Sequence, residues 1–293
     1  MKKLLFIVNP KAGRKKSSAP LFDAVARFSQ AGYLVRLFIT TQGGDARQAA
    51  AECGSDYDLV VCAGGDGTLN EVISGLMSVE NRPPVGYLPN GSTNDFAASL
   101  KLSSNPSLAA AAVASGRATH LDVGRFNTRF FAYVASFGAF TKASYSATQA
   151  AINALGHLAY IFEGIGSLDS LHSYRARVEA DGEVFEGKFI FGAVCNSTSL
   201  GGLVKLDPEK VKMDDGKFEL LLLKMPKNPI DLQNLITGLL KMRYDMPGVI
   251  FRHAAHIKLT TEDNIPWSLD GEYAPSSPAV EIENLPGAIT LIR

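Results

Sequence analysis

The chain has 293 residues, 46% apolar and 20% charged, enough for about two globular domains at roughly 150 residues each, which excludes a disordered or fibrous protein. Its 29 Lys and Arg balance 29 Asp and Glu, so a chain-wide electrostatic grip on nucleic acid or anionic lipid is excluded and any such contact must be a local patch. Three cysteines, Cys53, Cys62 and Cys195, lack any CxxC spacing and fit a reduced cytosolic protein with neither a disulfide framework nor a zinc cluster. The apolar run Leu4–Val8 after two lysines is too short for a secretory leader, and no run approaches the ~18 residues that span a bilayer. An action on membranes would come from the surface.

The first hundred residues alternate between strand and helix periods, the pattern of a parallel sheet flanked by helices. Leu4–Val8 reads as a strand, and Leu21, Phe22, Val25, Phe28 and Ser29 recur at helical spacing before a capping Gly32. Tyr33–Thr40 is the next strand, Asp45–Cys53 a short Ala-rich helix, and Asp58–Ala63 a continuous apolar strand of the kind buried on both faces. After Gly64-Gly65-Asp66-Gly67-Thr68, the residues Leu69, Val72, Ile73, Leu76 and Met77 mark an amphipathic helix. Val85–Leu88 is a strand, and the polar loop Pro89–Thr93 leads to a helix starting near Asn94. Beyond about residue 122, apart from a helical stretch over 147–171, the chain is alternating and turn-punctuated: Arg175–Ala180, a turn at Asp181-Gly182, Phe189–Cys195, Lys217–Leu223 and His256–Thr260. This predicts an α/β domain over 1–124 followed by an antiparallel β domain over 125–285.

The chemistry lies in the loops after the early strands, where open α/β sheets bind ligands. Strand, GGDGT, helix is a phosphate-binding arrangement, because glycines admit backbone N–H groups to phosphate oxygens and the helix N-terminus adds a favourable dipole. The segment lacks the third glycine of a Rossmann fingerprint, and Gly182–Phe189 misses a Walker A loop because Phe stands where Ser or Thr is needed. Asp66 adds a carboxylate suited to magnesium, directly or through water.

Four motifs occur in order: Asn9-Pro10-Lys11-Ala12-Gly13, Gly64 to Val72 (GGDGTLNEV), Leu88 to Ala97 (LPNGSTNDFA) and Leu269-Asp270-Gly271-Glu272. With these the chain resembles the diacylglycerol kinase catalytic family, and within it the soluble bacterial lipid kinases of the DgkB and YegS type. The resemblance implies a nucleotide-binding α/β domain of the NAD kinase/diacylglycerol kinase kind, a β-sandwich carrying a helical insert, ATP bound in the cleft between them, and a last strand, about 286–293, that returns to the first domain. The positions it assigns to ATP are Asn9, Pro10, Lys11, Ala12, Gly13, Thr40, Gly64, Gly65, Asp66, Gly67, Thr68, Leu69, Asn70 and Ser92. Ser92 departs from the family's usual Thr but keeps the hydroxyl.

The resemblance places the general base in the late DGE, on Asp270 or Glu272, which an extended backbone would turn to one side with Gly271 between them. The earlier Asp181-Gly182-Glu183 reads instead as a hairpin turn. The resemblance also implies a magnesium held by Asp215 and the carbonyl oxygens of Lys212 and Lys217, reached through water by Asp66, Asp95 and Asp122. Lys11, Arg14, Lys15 and Lys16 form the one dense basic cluster, suited to ATP phosphates or an anionic surface. Leu155 to Phe162 resembles the lipid-side helical insert. His253 and His256 sit three apart without a third ligand in sight.

The expected activity is an ATP- and Mg²⁺-dependent transfer of phosphate to a lipid hydroxyl, diacylglycerol first, by a cytoplasmic protein that visits the membrane surface transiently, binds no nucleic acid and, by analogy, forms a homodimer. An NAD kinase-like reaction and a catalytically idle lipid-binding protein on the same fold are the alternatives.

Overall fold

The computed structural model describes residues 1–13, 19–138, 171–200 and 204–293. The expected helical stretch over 147–171, the lipid-side insert and Arg14, Lys15 and Lys16 fall outside these residues, save Leu171. The chain divides into two compact units: Met1–Val123 with Arg129–Ala132 and Leu285–Arg293, and Gly124–Thr128 with Tyr133–Asn284.

The first unit is α/β. Strands β1 (Lys2–Val8), β2 (Tyr33–Ile39), β3 (Leu59–Gly64) and β4 (Val85–Pro89) are parallel in the order β2-β1-β3-β4. Every residue of β3 is buried, as a strand covered on both faces requires. Helices α1 (Ala19–Gln30) and α5 (Pro106–Ser115) cover one face, closing a core of Leu4, Phe6, Val8, Leu59 and Val61 with Phe28, Ala110 and Val113; the Phe6 and Phe28 rings meet edge to face at 5.6 Å. The alternate residues Leu5, Ile7, Val60 and Cys62 are equally buried. Helices α2 (Asp45–Cys53) and α3 (Asp66–Leu76) pack together, with Gly75 so close to α2 that a Cβ there would stand 2.3 Å from the Arg47 carbonyl oxygen. A short helix α4 (Asp95–Ser99) follows β4.

The second unit is antiparallel β. Its spine is the 13-residue strand β9 (Glu183–Cys195). The first half of β9 pairs with β8 (Tyr174–Ala180); its second half pairs with β7 (Val134–Gly138) on one side and β12 (Phe218–Lys224) on the other. β12 continues to β13 (Val249–Ala254), β8 to β14 (His256–Thr260), and β7 to the hairpin of β15 (Trp267–Leu269) and β16 (Glu272–Ala274). The remaining strands are β5 (Ala118–Phe126), β6 (Arg129–Phe131), β10 (Ser199–Leu200) and β11 (Val204–Lys205). The last strand, β17 (Ala279–Ile292), pairs antiparallel with β14 through Glu283, and its Leu291 and Ile292 add in parallel to β4.

One element departs from the sequence reading. Residues Pro229–Leu240 form a helix, α6, within a region read as alternating strand. Asn228 caps it by accepting the Asp231 N–H at 2.9 Å, and proline occupies the first turn, where its missing N–H costs nothing.

Candidate active site

The polar loops of the first unit stand side by side at the carboxyl ends of β1, β3 and β4, and backbone contacts knit them together. Asn9 donates its backbone N–H to the Ala63 carbonyl at 2.9 Å and its side-chain amide to Thr68 Oγ1 at 3.0 Å. Asn90 donates its backbone N–H to the Gly64 carbonyl at 2.7 Å and its side-chain amide to the Ala12 carbonyl at 3.2 Å. Gly91 lies against Gly65 so tightly that a Cβ on Gly91 would meet the Gly65 Cα at 2.6 Å. Only glycine permits that approach.

Asp66 fastens the GGDGT turn to the following loop. Its two oxygens accept the N–H groups of Asp95 (3.0 Å) and Phe96 (3.2 Å), the first amides of α4. This lets Asn94 hold a left-handed φ of 53°, locked further by Asn94 Oδ1 accepting the Gly91 N–H at 2.8 Å. Burial nevertheless pushes the Asp66 carboxyl up to about 6, the Asp95 charge adding to it and the backbone N–H bonds opposing. Beneath the loops the buried Tyr87 hydroxyl reaches Asn94 Oδ1 at 3.4 Å. Asp95 and Asp122 are both buried, and Asp122 accepts the Gly287 N–H at 2.8 Å.

Two further acids organise the neighbouring loop. Asp45 accepts the Thr41 N–H, the Thr41 hydroxyl and the Gln42 N–H, at 2.7, 2.8 and 3.1 Å. Glu71, on α3, accepts the N–H groups of Gly44 (2.9 Å) and Ala46 (3.2 Å), so the phosphate-type helix itself caps α2. Glu71 and Tyr87 escaped the sequence reading, although Glu71 follows the assigned Asn70 directly. Thr40 is buried, its hydroxyl donating to the Val8 carbonyl at 3.4 Å, whereas Ser92 is exposed and Lys11 reaches the Thr41 carbonyl at 3.1 Å. Asn70 is buried and accepts the Ser74 hydroxyl at 3.2 Å.

In the second unit, the DGE carboxylates do not share an extended segment. Asp270 (φ 49°) and Gly271 (φ 89°) are the two loop residues of the β15–β16 hairpin, a type I′ turn, with Leu269 opposite Glu272. Asp270 is 4% exposed, and its Oδ1 accepts the N–H groups of Tyr133 (3.0 Å) and Val134 (2.8 Å). Glu272 is exposed on β16. The expected turn at Asp181-Gly182 has the same form, with φ of 44° and 92°. Its exposed carboxylate likewise accepts two consecutive N–H groups, of Ala255 and His256, both at 2.9 Å.

Residues Lys212–Lys217 form a loop, exposed at Lys212, Asp214, Asp215 and Lys217 and buried at Met213, in which Asp215 Oδ1 accepts the Lys217 N–H at 3.0 Å. Two residues further, Glu219 is fully buried on β12 and neither carboxylate oxygen has a hydrogen-bond partner. Burial pushes its carboxyl up to about 8; the Asp215 charge adds to the shift, while the amides of Glu219 and Lys212, turned toward the carboxylate, oppose it. Among the described residues no group of three or more His, Cys, Asp or Glu side chains is arranged to hold a metal ion, so a cation here would depend on backbone carbonyls. An oxygen-rich loop beside an orphaned buried carboxylate suits a hard divalent cation. His253 Nε2 lies 2.8 Å from the Lys210 carbonyl.

The model of the diacylglycerol kinase catalytic domain matches residues 3–126, and that of the YegS C-terminal NAD kinase beta sandwich-like domain matches residues 134–293. The chain belongs to the diacylglycerol kinase catalytic family. A curated relative named diacylglycerol kinase from Bacillus subtilis (strain 168) is 35% identical over 287 residues, covering 97% of this chain and 94% of the relative. A diacylglycerol kinase of Staphylococcus aureus (strain MRSA252) is 32% identical over 280 residues, 95% of this chain and 88% of the relative. The crystal structure of a diacylglycerol kinase from Bacillus anthracis str. Sterne superposes with a TM-score of 0.79 at 26% identity, covering 99% of this chain and 96% of that one. Among the described residues of this family member no helix is long and apolar enough to cross a membrane.

Proposed function

We propose that this chain is an ATP-dependent lipid kinase that transfers the γ-phosphate to the free hydroxyl of diacylglycerol, giving phosphatidic acid and ADP. The observation that carries the nucleotide half of this reading is Gly67. It sits in the first turn of α3, where alanine is the better helix former, and an added Cβ would meet nothing within 4 Å. Among the described residues no contact asks for glycine there, whereas a phosphate held on the α3 amides does. Asn9, Gly13 and the Gly65–Thr68 backbone line the same end of the sheet.

For the transfer, the acceptor oxygen attacks the γ-phosphorus in line as the bond to ADP breaks, and its proton passes to a carboxylate. Glu272 suits that role: it is exposed on β16, while Asp270 is buried and holds the Tyr133 and Val134 amides. Asp270 is then the positioning residue that fixes the turn. The Lys212 and Lys217 carbonyls and Asp215 would hold Mg²⁺, which when bound supplies positive charge against nearby carboxylates. The substrate resides in a bilayer, so a transient visit to the membrane surface follows from the chemistry.

The test is incubation with labelled ATP and separate panels of diacylglycerol, phosphatidylglycerol, sphingoid bases and NAD. Label in phosphatidic acid supports the reading; label only in NADP replaces it with the NAD kinase-like one. Glu272→Gln is expected to abolish turnover while ATP affinity persists, and near-normal turnover would refute the base assignment.

A further inference from the structure

Glu219 is a carboxylate beside the apolar run Leu220–Leu223 of the strand Phe218–Lys224, with a side chain 0% exposed and, among the described residues, no hydrogen bond to either oxygen. An isolated buried charge costs several kcal/mol unless a partner compensates it. Its cross-strand neighbours are Cys195 on β9 and His253 on β13, which point to the same side of the sheet. His253 does not compensate it: Nε2 stands 3.8 Å from Glu219 Oε1 and only 2.8 Å from the Lys210 carbonyl, on which it spends its hydrogen. Among the described residues no lysine or arginine pairs with Glu219.

The His253–Lys210 contact also shows what lies beside this face. The Lys210 carbonyl, just before the Lys212–Lys217 loop, meets His253 beside Glu219, and Glu219 itself follows Lys217 by two residues on β12. The loop's assigned ligands include one carboxylate, Asp215, beside the Lys212 and Lys217 carbonyls. A second carboxylate at the base of the same loop completes both balances, the cation's and its own.

We propose that Glu219 is a further ligand, directly or through one water molecule, of the cation held by the Lys212–Lys217 loop. The inference rests on the magnesium-loop reading above, and its test separates the two. Mn²⁺ alone, without ATP or lipid, is titrated into the full chain by calorimetry and electron paramagnetic resonance, with thermal unfolding followed in Mg²⁺ and in chelator. Wild type is expected to bind one Mn²⁺ and to gain melting temperature with Mg²⁺, and Asp215→Asn to lose both. Glu219→Gln is expected to bind about 10–100-fold more weakly. If Asp215→Asn loses the metal while Glu219→Gln binds it like wild type, the role of Glu219 is overturned and the loop stands. If Asp215→Asn binds as wild type does, or wild type binds none, the loop reading and the inference fall together. Should Glu219→Gln fail to fold, Glu219→Asp, which shortens the reach by one methylene, is titrated instead; an unchanged Mn²⁺ affinity there would overturn the proposal.

Discussion

Replacing Gly67 by alanine separates a structural glycine from a ligand-binding one within a single helix. Among the described residues the added Cβ has no atom within 4 Å, and the φ of Gly67 is not left-handed, so the substitution strains nothing there. Alanine is favoured over glycine in a helix by up to about 1 kcal/mol, so the urea midpoint should hold or rise. A phosphate lying over the α3 amides, however, would be displaced by the methyl. Losing one hydrogen bond to a charged group costs about 1.5–3 kcal/mol, which is roughly a tenfold to hundredfold loss of ATP affinity. Gly75, in the same helix, should behave in the opposite way, since its Cβ would stand 2.3 Å from the Arg47 carbonyl oxygen and 2.9 Å from the Ala50 Cβ. Gly75→Ala is therefore expected to lose stability through strained α2–α3 packing. Calorimetric titration with a non-hydrolysable ATP analogue, beside urea unfolding, reads both quantities. A Gly67→Ala protein that binds the analogue like wild type would show that no phosphate lies over the α3 N-terminus.

Gly91→Ala places a Cβ 2.6 Å from the Gly65 Cα and 2.8 Å from Asn94 Oδ1, and should cost about 1–3 kcal/mol of overpacking in urea unfolding. An unchanged midpoint would mean that the two loops are not locked together. The Asp66 carboxyl, raised from 3.8 to about 6 in the folded state, keeps a proton that the unfolded chain has released between those values. Its contribution is therefore full below 3.8 and lost as pH rises through 6, by up to about 3 kcal/mol. In metal-free buffer the wild type should lose urea stability relative to Asp66→Asn between pH 5 and pH 7, and parallel profiles would contradict the shift. Cys62 and Cys195 are fully buried, and burial raises both thiols well above the usual range, whereas Cys53 is partly exposed. Native alkylation followed by mass spectrometry should add one label quickly and the other two only in denaturant; rapid triple labelling would show that β3 or β9 opens readily.

The α/β half was legible because its signals are local. Leu59–Gly64 is apolar at every position but its last, and Leu69, Val72, Ile73 and Leu76 keep helical spacing. The helix Pro229–Leu240 was legible by the same rule and was overlooked among strand-like neighbours. Leu232, Leu235, Ile236 and Leu239 keep the i, i+3, i+4, i+7 spacing, with Leu235 and Leu239 buried. Its start carries a second signal, an asparagine followed by proline and, three residues on, aspartate. Glu71 was missed for a different reason: its partners Gly44 and Ala46 lie 27 and 25 positions upstream, and a cap supplied by another helix leaves no local pattern. Glu219 left a signal in plain view, a carboxylate within FELLLLK, whose meaning depends on the burial of that strand.

The two DGE segments show how far a motif carries chemistry. Each supplies a type I′ turn with an aspartate at positive φ, and each turns that carboxylate onto two consecutive backbone N–H groups of a neighbouring chain segment. The rule that marked Asp181-Gly182 as a hairpin therefore marked Asp270-Gly271 equally well, and a structural role for the aspartate does not distinguish them. Their surroundings do. Asp181 is exposed, while Asp270 is 4% exposed, with the buried Trp267 and Leu269 on the strand before it. A buried carboxylate fixed by two amides makes a rigid base for the hairpin, and a glutamate two residues later inherits that rigidity. In the proposed reading, the aspartate of the late motif fixes the hairpin and the glutamate is the proton acceptor. Asp270→Asn and Glu272→Gln should accordingly differ: the first loses hairpin stability along with turnover, the second turnover alone.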